Sequence, residues 1–170
     1  MLTTEKTSEK VMVVSTLDTF RVGEEFKKVP VHLTLAPWFN LPVESWDYFN
    51  REMGEIVLEH SFSPTIAGNV AAYGPGGEEE VRRLNHPDLF TVMQLFPVHA
   101  AVFELAYSID PEINATYSRV NYSPHMSSRP DRTIADGEVI DLSNLTVFER
   151  RAETGRKLVK AVYLWDKING

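Results

Sequence analysis

The strongest constraint on this chain is a short pattern that occurs twice, once in each half. Val31-His32-Leu33-Thr34-Leu35 and Pro124-His125-Met126-Ser127-Ser128 each set a histidine two positions before a hydroxyl residue, in segments that read as strands. Along a strand, residues i and i+2 share a face. His32 and Thr34 therefore project together, as do His125 and Ser127, while Leu33, Leu35 and Met126 project the opposite way into packing. If the two halves pair, the four polar side chains converge on one cleft.

The rest of the chain fits a layout in two similar halves. Residues 11–17 are rich in β-branched side chains and read as a buried strand, and 29–36 as a second strand. Pro37 and Pro42 bracket an expected loop that holds Trp38 and Phe39. A helix is expected over 43–59, where Trp46, Phe49, Met53, Ile56 and Val57 recur at steps of three and four. Strands follow at 64–73 and 79–84, the first closed by a turn at Gly74-Pro-Gly-Gly. From Asp88 the pattern is helical, with Pro97 expected to break or kink the helix near its middle and a second segment at 98–108. A strand over 120–128 precedes a polar loop at 129–137. The last two strands, 138–150 and 156–167, form an antiparallel hairpin about a turn at Glu153-Thr-Gly. The expected fold is α+β, with two pseudo-symmetric lobes whose antiparallel sheets line a central cleft and whose helices lie outside. No linker rich in Pro, Gly or Ser divides residues 1–170, which read as a single bilobal domain with residues 1–10 as a flexible arm.

Composition narrows the chemistry. The chain has 170 residues and no cysteine, which removes disulfides, thiolate metal sites and cysteine nucleophiles. Its net charge of −7 argues against broad contact with duplex DNA, which needs dense Lys and Arg against the phosphates. A small phosphorylated ligand in a locally positive cleft remains compatible. The N-terminus is polar and no apolar run is long enough for a signal peptide or a membrane span, so a cytoplasmic location is expected. Glycosylation-type triplets at Asn114, Asn121 and Asn144 are then read as chance.

Two histidines and two hydroxyls suit the in-line breaking of a phosphodiester. One group must deprotonate the attacking oxygen and another must protonate the leaving one. Imidazole does either near neutral pH. Hydroxyls can donate hydrogen bonds to the non-bridging oxygens, where charge builds in the transition state. No metal or other cofactor is needed. A metal held by the two histidines with Asp136 or Asp141 is disfavoured, because the sequence holds no ligand-spaced cluster. His60, His86 and His99 lack a hydroxyl partner at i+2 and read as structural, and the Gly74 stretch lacks the Lys-Ser/Thr of a phosphate-binding loop.

The two motifs with their flanks, VPVHLTLAPWF and YSPHMS, resemble those of the 2H phosphoesterase superfamily, and the resemblance covers about residues 10–167. The strand containing Ile66-Ala-Gly and ending at Tyr73-Gly is similar as well. The resemblance implies two antiparallel sheets forming a cleft, and activity on 2′,3′-cyclic phosphates, 2′–5′ linkages, RNA ends or related cyclic nucleotides. It implies His32 and His125 as acid and base, in an order left open, and Thr34 and Ser127 as phosphate-binding hydroxyls. Ser127 stands where threonine is more usual, and Met126 where a β-branched residue is frequent.

Around this set, Trp38, Tyr122, Tyr163 and Trp165 are candidate stacking platforms for a base. Tyr163 and Trp165 share a strand face and are candidates to line the cleft. Arg129, directly after the second motif, is a candidate phosphate donor. The expected function is a metal-independent phosphodiesterase acting on a cyclic phosphate, a 2′–5′ linkage or a cyclic oligonucleotide. Two rivals are a 2′,5′-RNA ligase-like enzyme of RNA ends and a non-catalytic nucleotide-binding module of the same fold. The expected partner is a small nucleotide or short RNA, with no duplex DNA and no membrane, and the chain is expected to be a monomer.

Overall fold

In the computed structural model, which describes residues 7–60, 65–73, 79–85, 95–127, 129, 132–135 and 137–165, the β-branched run near the N-terminus becomes strand β1 (Ser8–Thr16). It starts inside the stretch read as a flexible arm. Ser8, Glu9 and Lys10 pair with Pro42, Leu41 and Asn40 of strand β3 (His32–Pro42), and a two-residue strand, β2 (Glu25–Phe26), lies between the two in sequence. β3 also overruns its expected end, so Trp38 and Phe39 are strand residues and not loop residues. Two register shifts against β1 make this possible, each leaving one extra residue on β3. Pro37, which has no N–H for a ladder, falls in the first of them.

Helix α1 (Trp46–Glu59) follows, with Phe49, Met53 and Ile56 buried as the spacing requires. Strands β4 (Thr65–Tyr73) and β5 (Glu79–Asn85) pair antiparallel. Helix α2 (Leu95–Ile109) buries Val98, Val102 and Phe103. Pro97 does not break it: the residue sits in the first turn, where a missing N–H leaves no helical bond unmade. The helical pattern expected before Leu95, the turn at Gly74, His86 and Asp136 lie outside the described residues.

The strand expected over 120–128 shrinks to β6 (His125–Met126), because Arg119–Asn121 form a 3-10 turn with Arg119 in the left-handed region at φ 57°. The strand expected over 138–150 is split into β7 (Val139–Ile140) and β8 (Asn144–Arg150). The final hairpin forms as expected, with β9 (Lys157–Leu164) returning along β8. Its turn needs Gly155 at φ +68°, whose N–H donates to the Arg151 carbonyl at 2.8 Å.

All strand pairs are antiparallel, in the order β2-β9-β8-β1-β3-β6-β5-β4-β7. The fold is α+β. The two expected groups of strands are both present, but they join through the β3–β6 pair into one continuous sheet. The two described helices pack on one face, over a core that includes Val11, Val13, Leu33, Leu35, Leu145 and Val147. The other face carries a smaller cluster of Met12, Val14, Val29, Phe148 and Val159. On β1, Val14 pairs with Thr34 and Thr16 pairs with His32, so the first motif lies on this second face, away from the packed sides of the two described helices. Among the described residues no helix is long and apolar enough to cross a membrane.

Candidate active site

One backbone register brings the two motifs together. β3 and β6 pair at Leu33 and Met126. In an antiparallel pair the flanking positions face each other, so His32 lies across from Ser127 and Thr34 across from His125. Leu33 and Met126 are 1% and 0% exposed and point into the main core. The four polar residues therefore stand on the opposite face as a compact square, each half-buried.

The two imidazoles are anchored alike. His32 Nδ1 bonds the Pro30 carbonyl at 2.6 Å, and His125 Nδ1 bonds the Ser123 carbonyl at 2.8 Å. A carbonyl only accepts, so Nδ1 must donate. In the neutral ring this makes Nε2 the proton-accepting atom. The same bond over the same two-residue offset recurs in both halves, and it is what a ring needs if it is to exchange protons through one defined nitrogen.

A cavity of about 160 Å³ opens on the Thr34–His125 side of the square, walled by Pro37, His99, Tyr117 and Tyr122 among others. The Tyr122 hydroxyl donates to the Thr34 carbonyl at 3.1 Å, tying this wall to the first motif. Behind Tyr122 lies His99, 2% exposed and stacked on it at 3.6 Å between ring centres with the planes 5° apart. Its Nδ1–H donates to the Leu35 carbonyl at 2.8 Å and its Nε2 accepts the Arg119 N–H at 3.1 Å. Both nitrogens are committed, and the partners fix the neutral tautomer. The sequence context reads His99 as structural; in the fold these two bonds hold it in the cavity wall, which nothing in the sequence signalled.

Burial lowers the pKa of His99 below its ordinary 6.5, outweighing the Leu35 bond and Glu104, which raise it. The unfolded chain therefore takes up a proton that folded His99 refuses. Stability is fully present above about pH 6.5 and declines as pH falls towards the lowered folded value, with a slope of up to about 1.4 kcal/mol per pH unit from this group. Urea unfolding from pH 7.5 to 5.5 is expected to show a steeper loss for the wild type than for His99→Gln. Parallel curves would refute the assignment.

On the His32–Ser127 side lies a second cavity, of about 240 Å³, whose wall includes Pro30, Val31 and Arg129. Arg129 is half-buried, and its Nε is buried with no hydrogen-bond partner among the described residues. Of the proposed binding residues, Tyr122 lines the first cavity, with Thr34 and His125, and Arg129 lines the second, with Pro30 and Val31.

The other three do not. Tyr163 pairs with Leu145, a core residue, so it faces the helices and not the cleft. Its hydroxyl donates to Asn50 of α1 at 2.6 Å, and burial pushes its pKa up to about 12. Trp165 shares that face and donates from its indole N–H to the His60 carbonyl at 2.6 Å. Alternation along the strand was right; the face it selected was the helical one. Trp38 is on the open face, but in the smaller cluster, with the Arg150 guanidinium 5.2 Å from its ring, and it lines neither cavity. Tyr117 and His99 were missed as cavity walls, because the turns at 111–121 that present Tyr117 have no periodic signal. Asn144, one of the glycosylation-type positions, is fully buried.

Among solved structures, crystalline E. coli LigT complexed with 3′-AMP matches this chain with a TM-score of 0.62 at 12% identity, over 94% of this chain and 99% of that one. A crystal structure of a phosphoesterase matches at 0.61 and 12%, over 92% and 97%. E. coli LigT complexed with NADP+ matches at 0.57 and 12%, over 92% and 98%. At this identity the likeness establishes the fold. No family model matches the sequence, and no curated protein matches it.

Proposed function

We propose that the chain is a two-histidine phosphoesterase that cleaves a nucleotide phosphodiester by paired acid–base catalysis without a metal. The observation that carries this reading is the Leu33–Met126 register with its matched Nδ1 anchors. One imidazole takes the proton from the attacking oxygen at Nε2. The other, protonated at Nε2, hands its proton to the leaving oxygen as the P–O bond breaks. Thr34 and Ser127 donate to the non-bridging oxygens between the two rings. The square is nearly symmetric, so the direction of attack decides which histidine is base.

The cavity beside Thr34 and His125 supports a nucleoside on that side, its base lying against Tyr122 or Tyr117. E. coli LigT has been crystallised with 3′-AMP, ATP and NADP+, which supports a small nucleotide or short RNA as the substrate of this chain too. The net charge of −7 favours such a ligand over duplex DNA.

The test is incubation in excess EDTA with 2′,3′-cyclic nucleotides, 2′–5′ and 3′–5′ dinucleotides and cyclic dinucleotides, with products resolved by chromatography. Cleavage in EDTA is expected. Cleavage that requires added metal would sink the mechanism, and ligand recovered intact after binding would favour a binding module.

A further inference from the structure

The two cavities are not equivalent, and their placement says which diester the square is built for. From the β3–β6 register, Thr34 and His125 form one edge of the square, and His32 and Ser127 the opposite edge. The first cavity touches the Thr34–His125 edge. The second lies beyond the opposite edge: its wall includes Pro30, whose carbonyl anchors His32, and Arg129, two residues past Ser127. None of the four residues of the square lines this second cavity; it is reached past their chain neighbours Pro30, Val31 and Arg129, so a phosphodiester held by the square has the first cavity against one edge and the second further out beyond the other.

The second cavity differs in chemistry. Phe20 and Phe26, packed edge to face at 4.9 Å, give it an apolar wall, and Lys28, Arg129 and Arg132 bring three cations to it. Two carboxylates oppose them. Asp18 is in the wall, and Glu138 is ion-paired to Arg132, which holds the Glu138 carboxyl below its usual range. Among the described residues the set carries three cations against two carboxylates, and the Arg129 Nε donor is buried without an acceptor. A buried donor left unmade costs free energy, and an entering anionic oxygen is the group that relieves it.

We infer that this second cavity is a subsite for the next phosphodiester of the substrate, so that the enzyme acts on oligonucleotides with at least two diester linkages, linear or cyclic, in preference to mononucleoside 2′,3′-cyclic phosphates. The inference rests on the phosphoesterase reading and narrows it. A cyclic mononucleotide fills one side of the square and leaves the other empty. An internucleotide diester fills both, with a nucleoside in the apolar cavity and a second phosphate against the cations.

The experiment measures binding, so that it stands apart from the cleavage panel. His125→Ala is titrated by calorimetry with adenosine dinucleoside monophosphates and trinucleoside diphosphates, each in 2′–5′ and 3′–5′ linkage. The trinucleotide of one linkage is expected to bind about tenfold tighter than its dinucleotide. Its affinity is also expected to fall more steeply with salt, by about 0.7 in the logarithmic slope. Adding Lys28→Ala or Arg132→Gln is expected to bring the trinucleotide's affinity down towards the dinucleotide's. Equal affinities in both linkages, absent binding, or an advantage that survives both substitutions would overturn the subsite. Cleavage confined to cyclic mononucleotides in the panel would overturn it too, while leaving the two-histidine mechanism in place. Preferential binding of the trinucleotide by a chain that cleaves nothing would support the subsite and sink the enzyme.

Discussion

His125→Ala is expected to lower kcat by about 10²–10⁴-fold on whichever diester the wild type cleaves, and His32→Ala by a comparable factor. The near-symmetry of the square is the reason. Each ring sits across from the other motif's hydroxyl, with the same carbonyl anchor behind it. Acid and base act on one transition state, so the double variant is expected to be little worse than either single one, in the way that groups working as a unit are non-additive. The pH profile separates the roles. Paired acid and base give a bell-shaped profile for the wild type, and each variant is expected to lose one limb, opposite limbs in the two. Both rings are half-buried and lie outside the main core, so truncation leaves that core untouched and the thermal midpoint is expected to hold. Loss of activity with a collapsed midpoint, or full activity in either variant, would refute the assignment.

The square was legible in the sequence because strand alternation is a local rule. Given His32, Thr34, His125 and Ser127 on strands, their shared faces follow without any knowledge of the fold. What local rules do not supply is which face meets which layer. Tyr163 and Trp165 alternate correctly, yet only the pairing with Leu145 and the packing of α1 reveal that their side is the helical one. The same holds for β3. Pro37 and Pro42 are strong loop signals taken alone, but pairing along β1 pulls Trp38 and Phe39 into the strand and absorbs Pro37 in a bulge. The reverse happened at β6, where an expected nine-residue strand gave way to a 3-10 turn held by the Arg119 N–H on His99, a bond across the fold. The walls of both cavities are of this non-local kind, assembled from turns and from residues far apart in the chain.

The largest expected loss of stability comes from a residue with no sequence signal beyond a chance glycosylation triplet. Asn144 opens β8 and is completely buried. Its Oδ1 accepts the Thr16 N–H at 3.2 Å and the Thr146 hydroxyl at 2.8 Å, and its Nδ2 donates to the Thr16 carbonyl at 2.9 Å. One side chain thus serves both backbone groups of the last residue of β1, the residue that pairs with His32. Asn144→Ala strands that N–H and that carbonyl in the dry interior, at about 1–3 kcal/mol each, so a total of about 3 kcal/mol is expected. For a chain of this length that lowers Tm by roughly 6–12 °C. Because Thr16 is the cross-strand partner of His32, kcat is expected to fall as well at temperatures where the variant is still folded. Asn144→Asp is the sharper test. It keeps the acceptor for the Thr16 N–H but turns a donor into a charged oxygen against the Thr16 carbonyl. Burial and that repulsion raise the folded pKa of the new carboxyl above its unfolded value, so the folded state binds the proton more tightly. Relative to wild type at the same pH, Asn144→Asp is therefore expected to be least stable above neutrality and to recover as pH falls towards 5, where a protonated carboxyl can donate to Thr16 again. A stability difference from wild type that does not move with pH would mean that the side chain at 144 does not face that carbonyl.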